Sequence, residues 1–189
     1  FHFVEGETRT NMKIIDPVQH TNTDINEPGV TVSEEILNEL LCELLEKITA
    51  EDIVVISGSM PKGSPQDTYY TWTKACREKG AKVILDADGD LLKAGLKASP
   101  YLIKPNNHEL SALVGRTLST PEELARTARE LMERYDISMI VVSMGGDGAL
   151  YVTDSEIIYA EGLKVPVGST VGAGDSVVAS LAVAEEAGM

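Results

Sequence analysis

From Ser33 onward, short and mostly apolar runs alternate with longer stretches of 3.6-residue apolar period, and this alternation restricts the fold more than any other feature. The apolar runs are Ile53–Ser57, Lys82–Asp86, Tyr101–Lys104 and Ile137–Ser143. Each has the length of a strand and is too short for a helix. The first helix opens at Ser33, a capping residue, and carries Ile36, Leu37, Leu40, Leu41, Leu44, Leu45 and Ile48 on one stripe. Residues 66–79, ended by Gly80, and the stretches 89–97 and 106–114 predict further helices. Thr120-Pro121-Glu122-Glu123 is a capping box with proline in the first turn, and it opens a helix running to Arg134. Residues 148–165 predict a β-meander and 174–186 a final helix. Strands apolar on both faces, separated by helices, imply an α/β fold with a parallel sheet covered on both sides.

Residues 1–30 follow a different pattern. Extended runs at Phe1–Val4, Arg9–Asp16 and Val18–Ile25 are separated by Glu5-Gly6-Glu7 and Asp16-Pro17 and close at Glu27-Pro28-Gly29. They carry little core of their own, so the chain is expected to divide into a β segment, 1–30, and an α/β core, 31–189. The N-terminus shows no basic region followed by an apolar stretch, and no apolar run is long enough to span a bilayer. The chain begins with Phe1 rather than Met and is expected to be cut from something longer.

The formal net charge of −14 speaks against non-specific nucleic-acid binding and against anionic membrane surfaces. It does not exclude an anionic substrate, because a few cations and aligned amides can dominate locally. Cys42 and Cys76 both fall in helical patterns, with no Cys or His at metal-ligand spacing. They read as reduced, mostly buried thiols of a cytoplasmic protein.

In a parallel sheet of this kind ligands gather at the carboxyl ends of the strands. Gly58-Ser59-Met60-Pro61-Lys62-Gly63-Ser64 follows the first core strand. It has the Gly-x4-Gly of a P-loop but not the Lys-Ser/Thr that follows, and it reads either as a plain turn or as a substrate-contacting one. Asp86 ends the second strand, with Asp88 and Asp90 nearby. The rest of an EF-hand loop is missing, so the latter two read as a solvated turn and a helix cap. After the third strand, Asn106 and Glu109 make an Asn-x-x-Glu capping box or place a carboxylate for hydrated Mg²⁺. Ser143-Met144-Gly145-Gly146-Asp147-Gly148 is a hairpin turn or a turn along a nucleotide's phosphates. The last stretch, Ser169-Thr170-Val171-Gly172-Ala173-Gly174-Asp175-Ser176, places small residues at a helix start. Backbone N–H groups there can crowd round an anion, aided by the helix dipole. Asp175 could take a proton from a substrate hydroxyl or simply cap the helix.

Taken in order along nearly the whole chain, these motifs resemble the ribokinase-like carbohydrate kinases of the phosphofructokinase B family. The residues that carry the resemblance are Gly58-Ser59-Met60-Pro61-Lys62-Gly63, Lys104-Pro105-Asn106-x-x-Glu109, Ser143-x-Gly145-Gly146-x-Gly148 and Gly172-Ala173-Gly174-Asp175. Within the family, Gly6-Glu7-Thr8-Arg9-Thr10-Asn11-Met12-Lys13-Ile14 and Thr23-Asp24-Ile25-Asn26-Glu27-Pro28-Gly29 are similar to the branch that phosphorylates fructose 1-phosphate. Tagatose-6-phosphate kinases share much of them, and a non-catalytic sugar-phosphate or nucleotide binding module on the same fold is the alternative of another class.

The resemblance implies a three-layer α/β/α domain with a β lid, ATP and Mg²⁺ as cosubstrate and cofactor, and a homodimer paired through the lid. It implies Asp175 as general base and the amides of Gly172, Ala173 and Gly174 as an anion hole. Glu109, with Asn106 and Asp86, would order Mg²⁺ through water. Lys104, Ser143, Gly145 and Gly148 would lie along the nucleotide, and Arg9, Asn11 and Ser59 would hold the sugar phosphate. The family's first strands and its closing adenine wall have no counterpart here. The segment alone is therefore expected to fold but not to turn over substrate.

Overall fold

The computed structural model describes residues 2–16, 18, 19, 21–167 and 170–188, with Asn22 described along its backbone. It divides into two units, one of residues 1–46 and 59–65 and one of residues 47–58 and 66–189.

In the smaller unit β1 (Asn11–Asp16) and β2 (Thr21–Asn26) pair antiparallel, from Asn11↔Asn26 to Asp16↔Thr21. The Asp16 carboxylate shapes the turn by accepting from the Val18 and Gln19 amides at 2.8 and 3.0 Å. Those two bonds hold its carboxyl below the usual range. Strand alternation puts Met12, Ile14 and Ile25 on one face, where each stays more than half exposed. Lys13 and Asp24 pair on the other face at 3.2 Å. The helix α1 (Glu34–Lys47) starts where sequence placed it, with Ser33 Oγ accepting from the Ile36 amide. Thr31 bridges to Lys62, and the Val32 amide donates to the Lys62 carbonyl at 3.1 Å.

The expected strand at Phe1–Val4 does not form. Phe1 lies outside the described residues, and residues 2–4 take no ladder partner. The run Val18–Ile25 becomes Thr21–Asn26 because Val18 and Gln19 serve the turn; His20 is not among the described residues.

The larger unit holds a six-stranded sheet in the order β3-β4-β5-β6-β7-β8. Here β3 is Ile53–Ser57, β4 Lys82–Asp86, β5 Leu102–Ile103, β6 Met139–Ser143, β7 Gly148–Thr153 and β8 Ile157–Glu161. The first four strands are parallel, and β7 and β8 return antiparallel as the expected meander. Two strands are shorter than the apolar runs that predicted them. Lys104 precedes Pro105, which has no N–H for a ladder. Asp136 turns left-handed after α5 (Pro121–Tyr135), and the Ile137 amide closes that helix on the Met132 carbonyl.

Register sorts the core onto two faces. Ile84, Leu102, Met139 and Val141 share one face with Val178 of α6 (Ala173–Glu186). Leu85, Ile103, Ile140 and Val152 line the other. A side chain at Gly95 of α3 (Gly89–Leu96) would strike Leu85, so α3 lies on that second face together with α2 (Thr68–Glu78), which packs against it. The helices α4 (Asn107–Val114) and α5 complete the set. Helices thus cover a mostly parallel sheet on both faces, the three-layer class expected from sequence. Full burial of a side chain such as Leu102 or Ile84 contributes about 1.5–3 kcal/mol. Among the described residues no helix is long and apolar enough to cross a membrane.

Two stability predictions arise here. Gly148 has φ +109°, and a Cβ there would stand 2.0 Å from the Ala160 carbonyl oxygen on β8. Backbone cannot yield as a side chain can. Gly148→Ala is expected to destabilise by at least about 2 kcal/mol, read from urea unfolding. A loss below ~0.5 kcal/mol would show that the hairpin relaxes freely.

The second concerns the far end of α6, where Glu185 pairs with Lys82 and accepts from Tyr101. Lys82 Nζ lies 4.9 Å from the Tyr101 ring centre. Burial, then the bond to Glu185, pushes the Tyr101 hydroxyl from 10.0 to about 12. The folded state therefore keeps a proton the unfolded chain gives up. Its stabilisation is complete below pH 10 and disappears as pH rises through about 12. Glu185 acts at the other end of the scale. Burial works to raise its carboxyl, but the Lys82 and Tyr101 bonds outweigh it and leave it lowered from 4.5, so its share is lost on acidification. Tyr101→Phe should flatten the alkaline limb of a stability–pH curve. An unchanged limb would remove Tyr101 from this account.

Candidate active site

The carboxyl ends of the parallel strands bring several of the expected residues together within the larger unit. The pairing Ser57↔Asp86 sets the tips of β3 and β4 side by side. Ser57 Oγ donates to Asp86 Oδ2 at 3.2 Å, and the Lys104 ammonium stands 3.2 Å from Asp86 Oδ1. Lys104 is 7% exposed, so its charge sits in a poorly solvated position and rests on that carboxylate. The Gly58 amide donates to the Asp86 carbonyl at 3.2 Å. Tyr69 of α2 donates to the Ser57 and Gly58 carbonyls at 3.2 and 2.8 Å. Burial, and then the charges of Asp86 and Asp88, raise the pKa of the Tyr69 hydroxyl, so it stays a donor.

Beside this cluster lies the start of α6. An added Cβ on Gly174 would come 3.7 Å from Lys104 Nζ, so the first turn of the helix and the ammonium are neighbours. Gly172 takes the N-cap position with φ +76°, a backbone angle that suits glycine. Its carbonyl accepts from the Ser176 amide and hydroxyl at 2.9 and 2.8 Å. The Ala173 amide donates to the Thr170 carbonyl at 3.2 Å. The amides of Gly172, Gly174 and Asp175 take no acceptor among the described residues. Ser169, which opens the motif in sequence, lies outside the described residues. Asp175 is exposed and makes no capping bond, so the plain helix-cap alternative for it is not what the structure adopts. An open helix start beside a buried cation is an arrangement suited to an anion.

Asn106 and Glu109 do form the capping box. Asn106 Oδ1 accepts from the His108 and Glu109 amides, and Glu109 Oε2 accepts from the Asn106 amide at 2.9 Å. Asn106 also bridges to Ser143, which brings the ends of β5 and β6 together. Among the described residues no group of three or more His, Cys, Asp or Glu could hold a metal ion. Mg²⁺ often takes only one or two carboxylates and keeps its waters. Glu109 Oε1, which the capping box leaves unused, fits that mode; Asp86 has both oxygens engaged by Lys104 and Ser57. Gly145 has φ +59° with open space around it, whereas Gly148 is already required by its contact with β8.

In the smaller unit Arg9 Nη2 donates to Ser59 Oγ at 2.8 Å, and the Arg9 side chain passes over Gly29. Glu27 ties this corner by accepting from the Thr10 amide at 2.7 Å. Arg9 and Ser59 thus meet although they are fifty residues apart. Asn11 stands at the start of β1 opposite Asn26, exposed. Sequence reading missed Ser57, Tyr69 and Ser176. The first was accessible in principle, since aligning the two apolar runs as parallel neighbours puts Ser57 beside Asp86.

The sequence profile of the pfkB family of carbohydrate kinases matches residues 1–189, and the chain belongs to that family. It is 37% identical over 190 residues to 1-phosphofructokinase of Haemophilus influenzae, covering 100% of this chain and 60% of that protein. It is 38% identical over 179 residues to 1-phosphofructokinase of Bacillus subtilis, covering 95% and 57%. The tetrameric inhibited form of phosphofructokinase-2 from Escherichia coli superposes with a TM-score of 0.87 at 33% identity, over 96% of this chain and 60% of that one. The chain thus spans about 60% of the length of these relatives.

Proposed function

We propose that the protein containing this chain transfers the γ-phosphoryl group of ATP to the free primary hydroxyl of fructose 1-phosphate, giving fructose 1,6-bisphosphate and ADP. The observation that carries the reading is the start of α6, where the amides of Gly172, Gly174 and Asp175 take no acceptor among the described residues, set with Asp175 against the buried Lys104 at the strand ends. Asp175 takes the hydroxyl proton. The amides of Gly172, Ala173 and Gly174 hold the oxygens of the phosphoryl in flight, Ala173 giving up its long bond to Thr170. Lys104 faces the nucleotide phosphates, and Ser143, Gly145 and Gly148 follow the nucleotide. Arg9, Asn11 and Ser59 hold the acceptor's own phosphate. Such positioning and charge stabilisation make up most of phosphoryl-transfer catalysis. Mg²⁺ would supply neutralisation of nucleotide phosphate charge, and Glu109 would hold it through water, with Asn106 and Asp86 beside it.

The choice of acceptor follows the 1-phosphofructokinase relatives, and a direct test is a coupled ADP-release assay on the complete protein. Fructose 1-phosphate should give the highest kcat/KM against tagatose 6-phosphate and fructose 6-phosphate. Preference for either rival would reassign the acceptor, and saturable sugar-phosphate binding without ADP release would leave a binding module. Glu109→Gln should raise the Mg²⁺ concentration for half-maximal rate, with partial rescue by excess Mg²⁺. An unaltered Mg²⁺ titration would leave Glu109 as a cap alone.

The hairpin of residues 11–26 serves in this reading as a lid, and its exposed Met12, Ile14 and Ile25 face would pair with a second copy. A cytoplasmic setting fits ATP as cosubstrate and the free thiols, of which Cys76 is buried as expected and Cys42 is exposed.

A further inference from the structure

The chain has 16 Lys and Arg against 30 Asp and Glu, so a concentration of cations needs a reason. Lys93, Lys97, Arg116 and Arg134 line one groove of about 550 Å³ between α3, the end of α4 and α5. Glu130 is the one carboxylate on its wall, and Arg116 and Arg126 already engage it at 3.3 and 4.0 Å. Lys93 is paired with Asp90 at 2.9 Å. Lys97 and Arg134 find no carboxylate among the described residues; Arg134 lies over the Tyr135 ring at 5.2 Å. Lys97 also lines the adjoining groove with Arg77 and with Lys74, which is paired there with Glu78 at 3.9 Å.

Cations in the last turn of a helix offset its dipole. That accounts for Lys93 and Arg134 singly. It does not account for Arg116, beyond the end of α4, converging with them on one concavity floored by Leu113, Leu131 and Tyr135. The volume lies in the range of small-molecule sites, and planar guanidinium groups favour phosphate. Lys97 and Arg134 mark the carboxyl ends of α3 and α5, whereas the candidate active site lies at the carboxyl ends of the strands. In a parallel α/β unit these are opposite edges of the sheet.

We infer that this groove binds a small metabolite carrying at least two phosphate charges on a ring-shaped or apolar body, at a site separate from the candidate active site. The test is calorimetric titration of the complete protein with inorganic pyrophosphate. Wild type should show a salt-sensitive binding class that survives Lys104→Ala. Lys97→Glu/Arg134→Glu should weaken that class by about tenfold or more, on the scale of lost charge-assisted contacts. The milder Lys97→Gln/Arg134→Gln should weaken it less, and because both side chains are exposed and only helix-dipole contacts are lost, its melting temperature should fall only slightly. Unchanged titration in both double variants, loss of all binding in Lys104→Ala, or no pyrophosphate binding in wild type up to millimolar concentration would each overturn the inference.

Discussion

Asp175→Asn is expected to lower kcat of the complete enzyme by about 10²–10⁴-fold, the usual contribution of a general base. The variant keeps the size and shape of the side chain and removes only its capacity to take a proton. Asp175 stands in the first turn of α6, exposed, with Gly172 rather than Asp175 capping the helix. The substitution therefore removes no bond that holds the fold. Unfolding free energy should move by no more than about 0.5 kcal/mol, and the KM for the acceptor should change little. This split separates a chemical role from a structural one. A variant that kept half its turnover would strip Asp175 of the role, and one that lost stability in parallel with rate would make it a structural residue.

Arg9→Ala is expected to weaken acceptor binding by about 10- to 100-fold, the scale of one charge-assisted hydrogen bond. Arg9 is held in place by Ser59 Oγ at 2.8 Å and by the corner that Glu27 ties to Thr10. Its guanidinium therefore gives up less freedom on meeting a phosphate than a loose side chain would. The KM for ATP should stay near wild type, since the proposal gives Arg9 no contact with the nucleotide. Steady-state kinetics with both substrates varied reads the two constants separately. Equal loss of affinity for ATP would place Arg9 in a general structural role.

The sheet was legible because its strands are apolar on both faces, a pattern few other structures produce. Its edges were less so. Tyr101 and Lys104 looked like strand from composition, yet Pro105 cannot continue a ladder. Ile137 looked like strand, yet its amide serves the end of α5. The candidate site was legible as a set of stretches and not as an arrangement. The spacing of Lys104 and Asp86 in sequence does not show that the carboxylate supports the ammonium, because that contact depends on two strands lying side by side. Gly148 shows the opposite limit. Sequence offered it as a nucleotide-lining glycine, and the contact with the Ala160 carbonyl gives it a sufficient reason of another kind.

The two ends of α6 are anchored unequally. Its last turn is fastened by Glu185 to Lys82 and Tyr101 and its middle by Val178 in the core, while its first turn meets Lys104 and leaves the amides of Gly172, Gly174 and Asp175 without an acceptor among the described residues. The helix is therefore a lever of 14 residues, about 21 Å long, held at its root and again at the buried Val178, with Asp175 just beyond Val178 on the side of the tip. A tilt of only about 3° over that length shifts one end by roughly 1 Å relative to the other, a displacement that can cost on the order of 10² in rate. The alignment of the reacting groups is thus entrusted in part to a joint at the opposite edge of the sheet, which never meets a substrate.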